Sequence, residues 1–318
     1  MTRMSLVVNP TKADPEAIEK LRSTAAAACA EAGWPAPRVL LTSEQDPGAG
    51  RAEQALDGGA DLVVACGGDG TVNAVAQALA GTDATLGIVP LGTGNLLAGN
   101  LGVPSGVDEA ISALITGVDR RVDLGRTDDR VLIGMAGLGL DAAMVADVPD
   151  SLKKRIGWPA YVVSILRHLA DNGITVTFDL DGRRVRHHGV HTVLIGNFGQ
   201  VQGGIDLLPD AVPDDGLLDV VVLAPRGWLL GWVKVLMHLR RRESRDSDTI
   251  TRYQARHVIA RTRHPVPQEI DGEFLGEKTS LDVRAQHLAL AIRVPRVPTA
   301  PVFTAAPKAH EAERDETR

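Results

Sequence analysis

The chain has 318 residues, with 34 Lys and Arg against 40 Asp and Glu, a formal net charge of −6 and 44% hydrophobic residues. That length suits two domains, each burying its own core, and an acidic balance with scattered Lys and Arg excludes a nucleic-acid footprint. The two cysteines, Cys29 and Cys66, lie in apolar runs as small hydrophobes, which excludes a disulfide framework or zinc spacing and fits a reducing cytoplasm.

From the N-terminus, strand and helix alternate. Leu6-Val7-Val8 reads as a strand ending at Asn9-Pro10, and Pro15 to Ala32 as a helix closed by Gly33. The first apolar run is too short for a signal peptide, and no stretch approaches the ~18 uninterrupted apolar residues of a membrane span. Val39 to Thr42 is a second strand, followed by a helix from Gly50 to Asp57. Leu62 to Cys66 is a third strand, which Gly67-Gly68-Asp69-Gly70-Thr71 turns into the helix-like Val72 to Leu79. Leu86 to Pro90 follows as a strand, and Leu91-Gly92-Thr93-Gly94-Asn95 opens another helix. This rhythm implies a parallel sheet with helices on both faces. Ligands of such sheets sit beyond the carboxyl ends of the strands. Asn9, Thr42, Gly67 to Thr71 and Leu91 to Asn95 all occupy that position, so four loops converge on one crevice.

Gly67 to Thr71 carries the most chemistry. A strand, a glycine turn and an immediate helix start gather backbone N–H groups at one spot, which suits a phosphate. The glycines permit positive φ and let a phosphate approach without a Cβ in the way. The Asp69 carboxylate repels phosphate unless a divalent cation or a transferable proton lies between them, so the loop suits a metal-nucleotide. The plainer alternative is a turn whose Asp caps the helix. The stretch is neither a Walker loop nor a dinucleotide fingerprint. In the second glycine turn, the plainer alternative is that Gly92 and Gly94 shape the turn and Asn95 caps.

Beyond Asp123 the pattern becomes β-rich, in Val131 to Gly139, Ile174 to Leu180, Val190 to Asn197, Leu217 to Leu223, Arg256 to Ala260 and Thr279 to Val283. Asp181-Gly182 and Asp271-Gly272 are hairpin-turn signals, and an antiparallel sandwich or barrel follows. Helical insertions are expected near Trp158 to Ala170 and Trp228 to Arg242, a late strand over Leu288 to Pro295, and a disordered tail from Arg296. The expected division is a nucleotide-binding α/β domain over 1–125, to which the 288–295 strand returns, a β-sandwich over 126–287, and the tail over 296–318.

The second half holds two acidic constellations. Asn197-Phe198-Gly199 and Gly203-Gly204 precede Pro209-Asp210-Ala211-Val212-Pro213-Asp214-Asp215-Gly216-Leu217-Leu218-Asp219. Carboxylates this crowded repel unless spread into water or neutralised, so the run is either an exposed acidic turn or an oxygen-ligand site for Mg²⁺. In Gln268-Glu269-Ile270-Asp271-Gly272-Glu273, Asp271 and Glu273 share a face if extended, and a turn at Asp271-Gly272 alters that geometry. Paired carboxylates there can hold a metal or take a proton from an alcohol; a charged hairpin tip is the alternative.

Gly-Gly-Asp-Gly-Thr, Gly-Thr-Gly-Asn, the Gly-Gly to Asp-Asp-Gly-Leu-Leu-Asp run and Ile-Asp-Gly-Glu occur here in the order and spacing of the diacylglycerol kinase catalytic-domain family. The chain resembles its bacterial soluble lipid kinases, relatives of sphingosine kinases and, more distantly, of NAD kinases, over residues 4 to 295. The resemblance implies a nucleotide domain, a β-sandwich, an active site in the cleft between them, and ATP-Mg²⁺ phosphorylation of a lipid hydroxyl. It implies that Asn9, Pro10, Thr11, Lys12, Ala13, Thr42, Gly67, Gly68, Asp69, Gly70, Thr71, Val72, Asn73 and Thr93 bind nucleotide. It further implies Glu273 as catalytic acid/base with Asp271 beside it, Asp69 and Asp123 as acidic partners of a metal-water network, and a structural Mg²⁺ on the carbonyls of Val212 and Leu217 and the carboxylate of Asp215. The chain departs from the family pattern at Lys12-Ala13-Asp14, where a glycine is common, and at Asn95-Leu96-Leu97-Ala98-Gly99, where Asn-Asp-Phe-Ala-Arg is common.

The expected activity is thus a cytoplasmic ATP-dependent lipid kinase, with diacylglycerol as acceptor and phosphatidic acid as product, placing the chain in phospholipid biosynthesis. It works at the inner membrane surface and is open to homodimer formation. A kinase of a sphingoid base or of NAD, and a nucleotide-binding regulator without turnover, are the competing readings. Arg226 to Arg242, with Trp228 and Trp232 on one face, reads either as a segment lying in the headgroup zone or as a helix packed on the sandwich.

Overall fold

The computed structural model describes residues 1–139, 173–201, 205–225, 232, 235 and 249–296. In chain order the first half comprises β1 (Met4–Val8), α1 (Pro15–Glu31), β2 (Arg38–Leu41), α2 (Ala49–Asp57), β3 (Leu62–Gly67), α3 (Asp69–Leu79), β4 (Thr85–Pro90), α4 (Leu96–Asn100), α5 (Val107–Thr116) and β5 (Val118–Arg126). There follow β6 (Val131–Leu132), β7 (Met135–Gly139), β8 (Ile174–Leu180), β9 (Arg183–Val190), β10 (Thr192–Gly196), β11 (Gln200–Val201) and β12 (Ile205–Asp206). The last four are β13 (Leu218–Leu223), β14 (Ile250–Ala255), β15 (His257–Ile270) and β16 (Glu273–Val294).

β1, β3 and β4 are buried at every position, as parallel strands covered on both faces must be. They lie in the order β2-β1-β3-β4, all parallel. Strand alternation sends Leu6 and Val8 to one face, where Leu21, Ala25 and Cys29 of α1 and Ala110, Ile111 and Leu114 of α5 cover them. Val7, Val63 and Ala65 face the other way, onto Ala52 and Ala55 of α2 and Val72, Val75 and Leu79 of α3. Asp14, one of the departures from the family pattern, caps α1: its carboxylate accepts the Ala17 N–H at 2.7 Å, with Pro15 at the first helical position. Cys29 and Cys66 are both buried and free, and burial pushes both thiols up.

The second half is an antiparallel sandwich around Leu138, Val176, Phe178, Val193, Val220, Val258 and Val283. β15 pairs with β8 over Val258–Thr262 and with β7 over Gln268–Ile270, with an irregularity between Arg261 and Val266. Such a break lets one long strand pass from one sheet to the other. Both hairpin signals hold. Asp181 and Gly182 have φ of 52° and 89°, and Asp271 and Gly272 have φ of 49° and 81°, the left-handed pair that a two-residue primed turn demands.

A single path of strands crosses both halves, β14-β13-β10-β7-β15-β16-β4-β3-β1-β2. Its link is β16, whose end lies parallel to β4 through Ala291–Thr85 and Ile292–Leu86. β16 therefore holds the Asp271-Gly272 turn at one end and the parallel sheet at the other.

α5, β9 and β14 are not among the expected elements, although Val107, Ala110, Ile111 and Leu114 of α5 stand at helical spacing. β9 in particular reads Arg183-Arg184-Val185-Arg186-His187-His188, too charged to announce a strand. The run from Val131 to Gly139 is two strands, because Ile133-Gly134 bends between β6 and β7. The expected helix near Trp158 to Ala170 and the tail beyond Arg296 lie outside the described residues. Of the Trp228 to Arg242 segment, Trp232 and Val235 are described and helical. Trp232 meets the His191 ring edge-on at 5.8 Å, and Trp232 and Val235 pack with Leu194, Val221 and Leu223. These two side chains face the sandwich, as a packed helix requires. Among the described residues no helix is long and apolar enough to cross a membrane.

Candidate active site

The chain runs from β1 outward to β2 and then back to β3 on the other side of β1, so the strand order reverses between β1 and β3. Loops leaving their carboxyl ends diverge there and open a crevice. Asn9 leaves β1 and Thr71 follows β3; the Asn9 side-chain amide donates to Thr71 Oγ1 at 3.1 Å. The Asn9 Oδ1 accepts from both the N–H and the hydroxyl of Thr11, at 3.0 and 2.8 Å, so one side chain orders the first loop and ties it to the second. Pro10 and Lys12 are exposed and Ala13 is half-buried. Thr42 is buried, with its N–H donated to the Val8 carbonyl.

The glycines of the first turn serve close approach rather than unusual φ. Gly67, Gly68 and Gly70 are absent from the positive-φ residues, which corrects the expectation drawn from their type. A Cβ on Gly67 would lie 2.7 Å from Thr71, and one on Gly92 would lie 2.5 Å from Gly68 Cα. The two glycine turns thus touch backbone to backbone. At Gly70 a Cβ would meet nothing within 4 Å, leaving the first turn of α3 open to a ligand. α3 begins at Asp69, earlier than its apolar pattern, and lacks a side-chain cap. Asp69 reaches across instead, and its Oδ1 accepts the Leu96 N–H of α4 at 2.7 Å. Asn95 stands in the left-handed region at φ 47° and returns two hydrogen bonds to Gly92, at 2.7 and 3.0 Å. Asn95 therefore shapes its turn while Asp69 caps the next helix, and Thr93 is left exposed.

The β15–β16 turn closes over this crevice. The Asn73 amide donates to the Asp271 carbonyl at 3.4 Å. Because Asp271 lies in the turn and Ile270 pairs with Glu273, the two carboxylates take different surroundings. Asp271 accepts the N–H groups of Ile133, Gly134 and Met135 at 3.0, 2.8 and 2.9 Å. Burial pushes its carboxyl up to about 6 against the pull of those amides, and Asp69 adds to the rise. Glu273 is exposed and meets the Arg130 guanidinium at 2.6 Å. Arg130 carries no local sequence signal, since only the fold sets the Thr127–Arg130 turn beside the tip.

Asp123 belongs to a second cluster. Fully buried on β5, it accepts from Gly216 N–H, from His287 Nδ1 at 2.8 Å and from Leu288 N–H at 2.7 Å. Its own N–H goes to the Pro213 carbonyl, and its carbonyl accepts the Asn197 amide at 2.8 Å. Asn197 N–H in turn reaches the Gly134 carbonyl at 3.3 Å. A continuous chain of hydrogen bonds therefore runs from Asp271 through Gly134 and Asn197 to Asp123 and the Pro213–Gly216 loop. Sequence reading quoted Asn197 without a role, and missed His287.

Around that loop the acids crowd. Burial pushes the Asp215 carboxyl up, with Asp123 and Asp214 adding to it. Asp219 is pushed up to about 7, by burial first and then by Asp215 and Asp210, against the pull of the Gln254 amide. Asp219 Oδ2 and Asn197 Oδ1 are buried oxygens without a hydrogen-bond donor. Crowded carboxylates, with orphaned acceptors on Asp219 and Asn197, are what a hard cation with oxygen ligands relieves, so the residues fit Mg²⁺. Among the described residues no three His, Cys, Asp or Glu side chains form a cage. A cation here would accordingly rest on Asp215 with the Val212 and Leu217 carbonyls, as the resemblance implies. In the nucleotide-free protein, adding Mg²⁺ after chelation is expected to raise Tm by a few degrees, because a ligand of the folded state alone stabilises it. Asp215→Ala should abolish the response; equal wild-type Tm with and without Mg²⁺ would sink the site.

Known families match both halves of the chain. Residues 3–127 match the diacylglycerol kinase catalytic domain. Residues 134–294 match the YegS C-terminal NAD kinase beta sandwich-like domain. The chain is 30% identical to a protein named diacylglycerol kinase from Bacillus subtilis, over 87% of this chain and 91% of that one. It is 36% identical to a "Probable lipid kinase YegS-like" protein of Pseudomonas fluorescens, over 65% of this chain and 69% of that one. A crystal structure of a diacylglycerol kinase from Bacillus anthracis strain Sterne shares the fold, with a TM-score of 0.70 and 22% identity over 93% of this chain and 98% of the other.

Proposed function

The chain belongs to the diacylglycerol kinase catalytic-domain family, and from that membership and the crevice above we propose that it transfers the γ-phosphoryl group of ATP to the hydroxyl of diacylglycerol. The observation that carries this reading is the seating of the Asp271-Gly272 turn, and with it Glu273, on α3 through Asn73. In our reading that contact brings the solvent-reachable Glu273 carboxylate toward the two glycine turns.

Phosphoryl transfer is chiefly positioning and charge stabilisation. In our reading the α3 N-terminus and the open backbone at Gly70 receive phosphate oxygens, while Asn9 and Thr71 hold the first and second loops at fixed separation. Mg²⁺ bound with the nucleotide supplies neutralisation of the phosphate charge. Asp69 faces that charge with its remaining oxygen while its Oδ1 keeps α4 in place. Glu273 takes the acceptor hydroxyl proton as the oxygen attacks; a carboxylate suffices because that proton leaves late. Asp271 holds the turn that presents Glu273, and Asp123 ties β5 to the proposed cation loop. The enzyme acts from the cytoplasm on a lipid at the inner membrane surface.

ATP consumption in mixed micelles tests the reading. Diacylglycerol is expected to stimulate ADP formation, whereas a sphingoid base, NAD and no acceptor are not. Stimulation by the sphingoid base alone would reassign the acceptor. No stimulation by any acceptor would leave a nucleotide-binding regulator.

A further inference from the structure

A chain of net charge −6 is repelled by an anionic bilayer unless one face is basic, and the outer sheet of the sandwich supplies such a face. Its residues fall in register. Arg186, Thr177, Arg261 and Ser280 form one row across β9, β8, β15 and β16, and Arg184, Asp179, Ile259 and Asp282 form the next. Strand alternation turns both rows outward, because the intervening row of Phe178, Ala260 and Leu281 is buried. Arg184, Arg186, Arg261 and Ser280 are exposed.

The two acids of this face are already engaged. Asp179 lies 3.9 Å from Arg184, and Asp282 lies between His257 at 2.8 Å and Arg284 at 3.8 Å. Arg186 and Arg261 have no carboxylate partner within salt-bridge distance among the described residues. Charges of one sign on an edge strand also guard against strand addition, and β9 is an edge, pairing with β8 alone. That need ends at the edge, however. Arg261 lies two strands in, where no edge requires protection.

We propose that this face of β9, β8, β15 and β16 docks the protein on the anionic headgroup surface of a phospholipid bilayer. The proposal rests on the lipid-acceptor reading, since that substrate is confined to a bilayer. Attraction to an anionic surface accumulates with each nearby Lys or Arg and is screened within a Debye length. Guanidinium groups add bidentate hydrogen bonds to phosphate oxygens.

Sedimentation of the full chain with vesicles provides the test, using phosphatidylcholine with and without phosphatidylglycerol. The wild type is expected to pellet with the anionic vesicles, to be released by salt, and to ignore pure phosphatidylcholine. Arg186→Glu with Arg261→Glu should lower the partition coefficient at least about tenfold. Arg22→Glu with Arg38→Glu, an equal charge change at exposed sites on the α/β half, should lower it far less. Equal losses from the two pairs would assign the effect to net charge and overturn the proposal, as would unchanged pelleting of the first pair or no anionic-vesicle binding by the wild type. A face that serves an acidic protein instead gives that last result. Turnover on diacylglycerol in neutral detergent micelles separates this failure from failure of the kinase reading: the first pair retains it if only docking is lost, and every chain lacks it if the acceptor reading is wrong.

Discussion

Glu273→Gln is expected to slow phosphoryl transfer ~10²–10⁴-fold, the usual loss when a general base is removed, while nucleotide affinity stays near the wild-type value. Glutamine keeps the length and an acceptor oxygen but cannot take the hydroxyl proton. The rival base, Asp271, spends its carboxylate on three backbone N–H groups. Replacing it by Asn puts an NH₂ group against at least one of those donors, so Asp271→Asn should lower Tm as well as rate, because buried donors left unmatched are costly. Glu273 is exposed and its carboxylate pairs with Arg130, and an exposed pair of this kind contributes little to stability. Glu273→Gln should therefore leave Tm within about a degree. Single-turnover phosphorylation beside nucleotide titration and thermal melts decides the matter. A wild-type rate in Glu273→Gln with a dead but folded Asp271→Asn would transfer the role to Asp271.

Asp69→Asn should be nearly as damaging to turnover, and for a separable reason. Asn retains an oxygen for the Leu96 N–H, which Asp69 accepts at 2.7 Å, so the tie between the two glycine turns survives and Tm should hold. What is lost is the charge that makes a bare phosphate unwelcome. With Mg²⁺ present, kcat is expected to fall at least ~10²-fold, the order seen when one charge-stabilising group is removed from an active site. With the metal chelated, ATP should bind the variant more tightly than the wild type, because a like-charge repulsion has gone. Asp69→Ala removes both functions and should also loosen α4. Unchanged kcat in a folded Asp69→Asn, or unchanged metal-free ATP affinity, would limit Asp69 to holding α4.

Much of this protein is written locally. Leu62 to Cys66, being uniformly apolar and short, can only be a buried strand, and a glycine turn after it must aim N–H groups at whatever lies beyond. Asp-Gly pairs at 181–182 and 271–272 dictate tight hairpins, because both residues must adopt positive φ. The crevice-lining residues Asn9, Thr71 and Asp69 are visible for the same reason: strand ends in an alternating pattern are places, and polar residues there have little else to do. Elements whose stability comes from neighbours are not visible in this way. β9 is a strand because β8 lies beside it, despite five Arg and His among its eight residues, and β16 is a 22-residue strand because β15, β5 and β4 each supply hydrogen bonds to a different part of it. Nor could residue type say which task each carboxylate has. Asp271 and Glu273 are two positions apart, yet the turn buries one against three amides and leaves the other in solvent beside Arg130. Asp123 and Asp69 read alike as acids near a nucleotide, but β5 carries Asp123 to the Pro213–Gly216 loop and to His287 and Leu288 of β16. Sequence determined where carboxylates and glycines stand along the chain; the tertiary structure alone decided which oxygens are already satisfied, because hydrogen-bond donors reach them from distant segments, as Leu288 reaches Asp123 across 165 residues.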